Sequence, residues 1–438
     1  MPAARPLKMT SHRTFRTILL SSCLVLFVFV FYLFRPDANV ASQQPFPPHD
    51  VTTNAPLLEN PHETLTPGNL ALADTNRYVQ AILQPNDTSF PKLICLPPDA
   101  ARYQYLKPSA SITSEIKYFF ALNLRECVQL LPRLLGSIVE AIRFLGPEHC
   151  ALSIVEGNSA DSTAEVLAAL QPEMDRLLAG RAHFELSNTI NPLEGEGRRF
   201  SKLAELRNLA LRPLREDRDR YHNATVVFIN DVAICMEDIL ELVHQRLLLQ
   251  SDMVCGMDWV YGGSEQPIFY DSYISRTLVG DLFFNIPPET ASYSFAPDLF
   301  WNDAISRARF HAHLPVQVFS CWNGAVAFTA TPVVDGKVAF RATFDDKGEC
   351  FQAEPQLFCK DMWFQGHGKI AVVPSVNLAY TNDDGQRIKK DKGYTSHWVN
   401  AGASSADLIE WQPPPDRVKC MPTFTDQTWR PWNETLSI

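Results

Sequence analysis

Residues 153–163 read Ser-Ile-Val-Glu-Gly-Asn-Ser-Ala-Asp-Ser-Thr, an apolar run that ends in the carboxylate of Glu156 and a turn of small polar residues. Residues 226–231 read Val-Val-Phe-Ile-Asn-Asp, a second apolar run that ends in the carboxylate of Asp231. Short apolar runs bounded by turn residues are typical of strands buried on both faces. Open α/β sheets bind their ligands beyond the carboxyl ends of such strands. The two runs therefore predict a site for a nucleotide and its metal ion.

Apolar runs and helical periodicity alternate along the chain around this pair. Strands are predicted at 117–123, 151–155, 183–186, 226–229 and 253–257, and helices at 130–144, 161–178, 202–214 and 237–249. Regular structure is predicted again at 325–328, 356–365 and 369–373. Such alternation predicts an α/β fold with a mostly parallel central sheet covered on both faces. We expect a catalytic domain over residues 111–400 and an irregular tail over residues 401–438.

The N-terminal region predicts a membrane anchor. Residues 18–34 carry no charge, and as a helix they would span roughly 26 Å. The preceding residues 1–17 hold basic residues and no acid, which predicts a cytoplasmic tail and an uncleaved type II anchor. A cleaved signal peptide is the alternative, but bulky residues stand where its small-residue cleavage site would be. Residues 35–110 are rich in proline and predict an extended stem, with a short helix at 69–83.

A lumenal body is expected beyond the anchor. The short, Phe-rich span suits membranes of the early secretory pathway, which predicts a Golgi location. Three glycosylation sequons begin at Asn86, Asn223 and Asn433. Nine cysteines follow the span without zinc-type spacing, and some of them should pair in an oxidising lumen. Cys350 and Cys359 flank a short loop and are candidate partners.

The charge balance excludes a general nucleic-acid-binding surface. Residues 1–35 hold five of the 39 basic residues and no acid, so the remainder carries 34 basic and 49 acidic residues, a net charge of −15. Phosphate recognition must therefore be local, through a metal ion, an arginine or helix-terminal amides. The chain also has no G-x-G-x-x-G or Walker-type loop, which disfavours dehydrogenases and P-loop enzymes.

Asn230 and Asp231 are the candidate metal and cofactor residues of the second strand. Metal-dependent glycosyltransferases carry an Asp-x-Asp pair at this position, and its carboxylates bind Mn²⁺ or Mg²⁺ that bridges the donor diphosphate. Here the pattern is reduced to Asn-Asp, so one carboxylate is predicted to bind the metal and to assist catalysis. The alternative is an aspartate that only caps a loop.

Five residues are candidates for binding the nucleotide or its phosphates. Glu156, Asn158 and Asp161 form a turn in which a carboxylate can accept hydrogen bonds from a ribose or base. The alternative is a strand–turn–helix junction in which Asp161 caps the helix. Lys202 and Arg207 lie on the predicted helix between the two strands, and Arg207 can bind a phosphate with both arms of its guanidinium. A solvated helix face is the alternative for this second pair.

Two further segments are candidates for the acceptor side. The turn Trp322-Asn323-Gly324 is expected to expose its Trp, whose face can stack on a sugar ring, although a buried Trp at a hairpin corner is equally compatible with the pattern. Glu354 stands before a predicted helix that also carries Asp361. Both are candidate catalytic carboxylates, since a carboxylate there can bind an acceptor hydroxyl or act at the sugar. Simple N-terminal helix charge is the alternative for Glu354.

Taken in order, a series of segments resembles the fungal capsule-associated α-1,3-mannosyltransferase family. The segments are FFALNL (119–124), SIVEGNSADST (153–163), KLAELRN (202–208), FINDV (228–232), DMVCGMDW (252–259), FYDSYISR (269–276), CWNG (321–324), EPQLFC (354–359) and VPSVNLAY (373–380). The resemblance covers roughly residues 112–382. It implies a GT-A fold, GDP-mannose as donor, a divalent cation, usually Mn²⁺, and transfer with retention to an α-1,3 linkage. It also implies a type II Golgi protein of glycan or capsule polysaccharide synthesis.

The resemblance also implies roles for individual residues. Glu156 would lie at the nucleotide, Asp231 at the metal, residues 322–324 over donor and acceptor, and Glu354 on the acceptor side. Many GT-A enzymes carry a metal-binding His after the last core strand, where this chain has Tyr380. The expected partners are a mannoside glycan acceptor, the Golgi membrane and a membrane-associated glycosyltransferase complex. A transferase for another nucleotide sugar and a catalytically silent glycan-assembly partner remain as alternatives.

Overall fold

The computed structural model describes residues 72–107, 116–193, 199–399 and 407–436. The strands of the central sheet are β1 Tyr118–Leu124, β2 Cys150–Glu156, β3 Ala182–Glu185, β4 Thr225–Ile229, β5 Met253–Val260, β6 Ile268–Phe269, β7 Arg276–Thr277, β8 Val316–Ser320, β9 Ala325–Thr329 and β10 Ile370–Ala379. Their order is β3-β2-β1-β4-β9-β5-β10-β8-β7, with β6 paired to β5. Strands β1 to β4 are mutually parallel, as are β5 and β10, while β9 runs antiparallel to β4 and β5. This confirms the predicted α/β fold with a mostly parallel central sheet.

Helices connect the strands and cover the sheet. They are α1 Leu72–Leu83, α2 Ala100–Tyr103, α3 Leu131–Leu145, α4 Thr163–Leu177, α5 Arg199–Ala210, α6 Arg212–Glu216, α7 Arg218–Tyr221, α8 Met236–Leu248, α9 Ala304–His311, α10 Thr331–Val334, α11 Glu354–Phe364, α12 Asn382–Lys392 and α13 Thr395–Trp398. The helix predicted at 202–214 is split at Leu211, because Pro213 enters the first turn of α6 and lacks the N–H that would continue α5.

Two hydrophobic cores lie on opposite faces of the sheet. Successive residues of a strand point to opposite faces. Accordingly, Phe119 and Val226 belong to one core and Phe120 and Val227 to the other, and all four side chains are fully buried. Burial on both faces explains why β2 and β4 are mostly apolar rather than alternating between apolar and polar residues.

The register of the strands brings the predicted acidic strand ends to one edge. Leu124 of β1 pairs with Glu156 of β2, and Leu122 of β1 pairs with Ile229 of β4. Strand β1 thus lies between the two acidic ends. With neighbouring strands about 4.8 Å apart, Glu156 and the end of β4 are about 10 Å apart across the sheet. That separation leaves room for an extended ligand along this edge.

The predicted boundary of the stem at residue 110 is wrong for its C-terminal part. Helix α1 packs against α3 and α4, and Leu93 and Tyr103 are buried in the core. A disulfide joins Cys95 to Cys235 at the start of α8. The sequence did not predict these contacts, because the segment is rich in proline, has weak helical periodicity and packs against residues far along the chain. Over the described part of the chain, no helix has the length and apolar character needed to cross a membrane. The predicted anchor at 18–34 lies outside these residues.

The C-terminal tail is not wholly irregular. It forms an antiparallel hairpin of β11 Arg417–Cys420 and β12 Thr428–Pro431. The hairpin docks on the loop after β7, where Lys419 N donates to Gly280 O (2.8 Å) and Arg276 Nε donates to Lys419 O (2.8 Å). A further disulfide joins Cys350 to Cys420, while Cys359 is a free, buried cysteine. The predicted Cys350–Cys359 pairing is therefore wrong, because Cys359 faces the core from α11.

We expect the Cys350–Cys420 disulfide to anchor the tail. Replacing Cys420 with Ser should lower the free energy of unfolding by about 2–4 kcal/mol, because the bridge closes a long loop. Peptide mapping without reduction should recover Cys350 linked to Cys420, with Cys359 alkylated only after denaturation. Recovery of a Cys350–Cys359 peptide would contradict this pairing.

Candidate active site

Glu156 and its turn occupy the carboxyl end of β2. The carboxylate accepts hydrogen bonds from the backbone N–H of Asn158 (2.9 Å) and of Ser159 (2.8 Å). Asn158 has φ +59°, in the left-handed region that asparagine tolerates. Asp161 accepts from Val128 N (3.1 Å) and from Thr163 N (3.0 Å), so it caps α4 and ties it to the loop after β1. Both carboxylates therefore hold this turn in shape, and their predicted contacts to a nucleotide stay predictions.

Cys127 shows that the acidic residues of β2 and β4 share one edge. Burial raises the pKa of its thiol well above the usual range, and the charges of Asp231, Asp161 and Glu156 raise it further. All three carboxylates thus lie close enough to Cys127 to act on it electrostatically. The structure brings together the two strand ends from which the site was predicted.

Asp231 is a half-buried carboxylate at the end of β4. Burial raises its pKa, whereas its own backbone N–H and the charge of Arg207 oppose the shift. Within the described residues it forms no ion pair with a lysine or arginine, and no cluster of three or more acidic, His or Cys side chains has the arrangement of a metal site. Mn²⁺ and Mg²⁺ are commonly held by one or two carboxylates together with substrate phosphates. An unpaired carboxylate here fits a cation whose remaining ligands come from a diphosphate and water.

Arg207 and Glu354 form a buried ion pair beside this edge. Arg207 Nε of α5 lies 3.0 Å from Glu354 Oε1 at the start of α11. Arg207 is only 8% exposed, and its guanidinium lies 4.7 Å from the ring centroid of Trp322 and 5.5 Å from that of Phe340. Its Nη1 is buried without a hydrogen-bond partner among the described residues. A buried guanidinium with an unused donor fits a phosphate ligand.

The expectation that Trp322 is exposed is wrong. The Trp322 side chain is fully buried beneath Arg207, and its Nε1 donates to Asn230 Oδ1 (3.0 Å). Trp322 therefore cannot stack on a sugar, but it holds the residue next to Asp231. Asn323 is also fully buried and donates from Nδ2 to Gly256 O (2.8 Å). Gly324 has φ +80°, and a Cβ there would lie 3.0 Å from a methyl group of Val232, so glycine is required.

The structure adds a pair of buried carboxylates that the sequence analysis did not name. Asp258 lies near the end of β5 and accepts hydrogen bonds from the Tyr380 hydroxyl (2.6 Å) and from Asp271 N (3.3 Å). Asp271 follows β6 and accepts from Asn323 N (2.7 Å). Asp258 fits the pattern that identified Glu156, an acidic residue near the carboxyl end of an apolar strand. Tyr380, which directly follows β10, thus orients Asp258.

The surroundings of Asp258 and Asp271 raise the pKa of both carboxyl groups. Burial raises the pKa of Asp271 to about 6, with a smaller increase from Glu354, while Asn323 N–H and Arg207 oppose the shift. Burial and the neighbouring charge of Asp271 raise the pKa of Asp258 well above its usual range. The pair therefore tends to keep one proton at pH values at which solvent-exposed carboxylates are already ionised.

We expect this pair to make the protein less stable as the pH rises from about 4 to about 6. The folded pKa of Asp271 lies above its unfolded value of 3.8, so the folded state binds more protons in this window and stability falls with rising pH. Asp271→Asn should remove the contribution and stabilise the protein above pH 6 by on the order of 1–3 kcal/mol. Urea unfolding of both proteins between pH 4 and pH 8 checks this. Parallel profiles would contradict it.

Two predicted site residues are engaged elsewhere. Asp361 of α11 binds Arg341, whose Nε lies 2.7 Å from Oδ2 and whose Nη2 lies 2.9 Å from Oδ1. We exclude Asp361 from the catalytic candidates because a guanidinium already occupies both of its oxygens. Lys202 donates from Nζ to Asn191 O (2.8 Å) and supports the loop before α5. The sequon residues Asn86, Asn223 and Asn433 are exposed.

Comparisons with known proteins identify the family of this chain. The model of the family described as Cryptococcal mannosyltransferase 1 matches residues 117–361, more than half of the chain. An α-1,3-mannosyltransferase of Cryptococcus neoformans var. neoformans serotype D is 36% identical over 320 residues, covering 70% of this chain and 68% of that protein.

Solved structures of low similarity also match. The mannosyltransferase PcManGT of Pyrobaculum calidifontis, solved with GDP-Man and Mn²⁺, is 13% identical with a TM-score of 0.34, covering 70% of this chain and 67% of its own. TarS of S. aureus is 12% identical with a TM-score of 0.34, and the match covers 61% of this chain and 60% of the TarS chain. TM-scores this low give no information about function. On the family match and the 36% identity, the chain belongs to the family of the cryptococcal mannosyltransferase 1.

Proposed function

We propose that this protein transfers mannose from GDP-mannose to a hydroxyl of an α-mannoside, with retention and an α-1,3 linkage. Membership of the family makes the chain a mannosyltransferase. The observation that carries the proposal is the unpaired carboxylate of Asp231 beside the buried Arg207–Glu354 pair, at the carboxyl edge of the sheet. One carboxylate and one guanidinium are suited to a diphosphate leaving group. The GT-A assignment of the fold is part of the proposal.

Each residue of the edge has a chemical role in this proposal. Asp231 would hold Mn²⁺ or Mg²⁺, which when bound offsets the negative charge that develops on the departing diphosphate. Arg207 directs its unused Nη1 to a phosphate oxygen. The turn of Glu156, Asn158 and Asp161 holds the nucleoside. Asn230, fixed by the indole of Trp322, keeps the end of β4 in place.

The cellular setting is also proposed. Residues 18–34 would anchor the protein in the Golgi membrane, with residues 1–17 in the cytoplasm and the catalytic domain in the lumen. Exposed sequon asparagines and disulfides support a lumenal body. There the enzyme would act in glycan or capsule polysaccharide synthesis, within a membrane-associated glycosyltransferase complex.

Linkage analysis of the product tests the proposed activity. The purified full-length protein in detergent is incubated with GDP-mannose and α-mannobiose, with and without Mn²⁺, and the product is analysed by methylation and NMR. We expect an α-1,3-linked mannose and loss of transfer when the cation is chelated. Parallel reactions with UDP-glucose and UDP-xylose test the alternative of another donor.

A silent assembly partner is the second candidate function, because only one carboxylate lies in the position of the Asp-x-Asp pair. It predicts no Mn²⁺-dependent binding of GDP and no transfer with any donor. Calorimetric titration of GDP in the presence of Mn²⁺ separates the two functions, since an active enzyme must bind the nucleotide.

A further inference from the structure

Three partly exposed aromatic rings from separate parts of the chain meet beside the candidate active site. Phe200 lies at the start of α5, Tyr273 in the loop after β6, and Phe351 just before α11. The ring centroids of Phe200 and Tyr273 are 6.0 Å apart with planes inclined by 27°. Those of Phe200 and Phe351 are 5.3 Å apart at 39°. We refer to these three side chains as the ring cluster.

Each of the three rings lies within a few residues along the chain of a buried charged residue of the candidate active site. Phe200 precedes Arg207 by seven residues, which places both on the same face of α5 about 10 Å apart along its axis. Phe351 precedes Glu354 by three residues, and Tyr273 follows Asp271 by two. Arg207 and Glu354 both act on the charge of Asp271, so the three charged residues are neighbours. The three segments that carry the ring cluster therefore also carry this buried charged group.

The elements that carry the ring cluster lie on both sides of Asp231, since α5 with Phe200 packs against β1 and β2. In the sheet order, β2 with Glu156 lies on one side of β4, and β5 with Asp258 lies on the other. Tyr273 follows β6, which pairs with β5. The ring cluster therefore combines elements from both sides of the strand end that carries Asp231.

We propose that the ring cluster binds a sugar ring of the mannoside acceptor, an inference that rests on the proposed mannosyltransferase function. Partly exposed aromatic faces next to a few fixed polar groups are typical of ligand sites. Asp271 and Glu354 are buried, with 9% and 1% of their surface exposed, so the partly exposed rings provide the contact surface in front of them. Trp322, predicted for this role, is fully buried, which leaves the ring cluster to supply the stacking surface.

Substitutions at Phe200 separate stacking on a sugar from simple packing. Phe200→Leu keeps an apolar side chain of similar bulk but loses the aromatic face, whereas Phe200→Tyr keeps the face. Phe310→Leu is the matched control, because Phe310 is a partly exposed helix residue whose ring lies 5.3 Å from that of Phe300, away from the charged group. Thermal unfolding confirms that each variant is folded.

The experiment measures α-mannobiose binding to the full-length protein by saturation-transfer NMR in the presence of GDP and Mn²⁺, and acceptor and donor KM in the transfer assay. We expect Phe200→Leu to raise the Kd and KM for mannobiose about tenfold, the equivalent of one good aromatic contact. The KM for GDP-mannose should stay unchanged. Phe200→Tyr should stay within about twofold of the wild type, and Phe310→Leu should alter neither constant.

The outcomes keep this inference distinct from the proposed function. Mannobiose binding that Phe200→Leu weakens, without transfer from GDP-mannose, would support the acceptor site and overturn the proposed activity. Normal transfer with an unchanged mannobiose KM in Phe200→Leu would overturn the acceptor site and leave the activity standing. Absence of mannobiose binding to the wild type would also overturn the acceptor site.

Discussion

Replacing Asp231 with alanine should reduce kcat for mannose transfer by about a thousandfold, because cation-assisted charge stabilisation contributes several kcal/mol to such reactions. Asp231 is the carboxylate at the end of β4 without a cationic partner among the described residues, so the other acids of this edge are poor substitutes. Glu156 and Asp161 already accept backbone hydrogen bonds in their turn. Initial rates with GDP-mannose and calorimetric titration of GDP with and without Mn²⁺ measure the effect.

The matched control is Asp252→Ala. Asp252 is also half-buried beside a core strand, but it precedes β5 and therefore lies at the amino edge of the sheet, where it accepts from Lys369 N (2.9 Å). Its removal should leave kcat and the Mn²⁺-dependent affinity for GDP unchanged. If Asp231→Ala kept both transfer and Mn²⁺-dependent GDP binding, the metal assignment would be wrong.

The strands of the fold were predictable because a strand that is buried on both faces must consist mostly of apolar residues. β2 and β4 are mostly apolar, with Ser153 and Thr225 as buried exceptions, so their extent could be read to within two residues. Once the strands were located, the acids at their carboxyl ends could be identified. The parallel register then brings Glu156 and Asp231 to one edge of the sheet. This part of the site depends on local sequence and on a general property of parallel sheets.

The parts that were missed depend on contacts between distant segments. Asp271 follows a strand of only two residues, so no local pattern marks it. Trp322 stands in a short turn, and it is buried by Arg207 and Phe228, which lie about 100 residues earlier in the chain. Cys350 pairs with Cys420 across 70 residues rather than with the nearby Cys359. Asp258, by contrast, could have been found by applying the strand-end rule to β5.

The buried pair Arg207–Glu354 should respond to single and double substitution in opposite ways. Arg207→Leu or Glu354→Leu alone leaves an uncompensated buried charge, which should lower the free energy of unfolding by about 3–5 kcal/mol. The double variant removes both charges, so it should recover most of that stability. It should nevertheless stay inactive, because the phosphate-binding donor proposed for Arg207 is lost. Urea unfolding and initial rates on the same preparations measure the two effects.

The pair Arg102–Glu241 offers a matched control, since it is also buried, with Nε 2.8 Å from Oε2, and joins α2 to α8 away from the strand ends. Its double leucine variant should retain transfer activity. It should recover less stability, because Glu241 also accepts from the Tyr103 hydroxyl (2.9 Å) and from Gln245 Nε2 (2.7 Å). If the Arg207/Glu354 double variant also retained activity, the ion pair would serve only to join α5 to α11. Lost activity in a folded Arg207/Glu354 variant, against retained activity in a folded Arg102/Glu241 variant, would place Arg207 or Glu354 in the active site, either at the substrate or through Asp231 and Asp271, on which Arg207 acts.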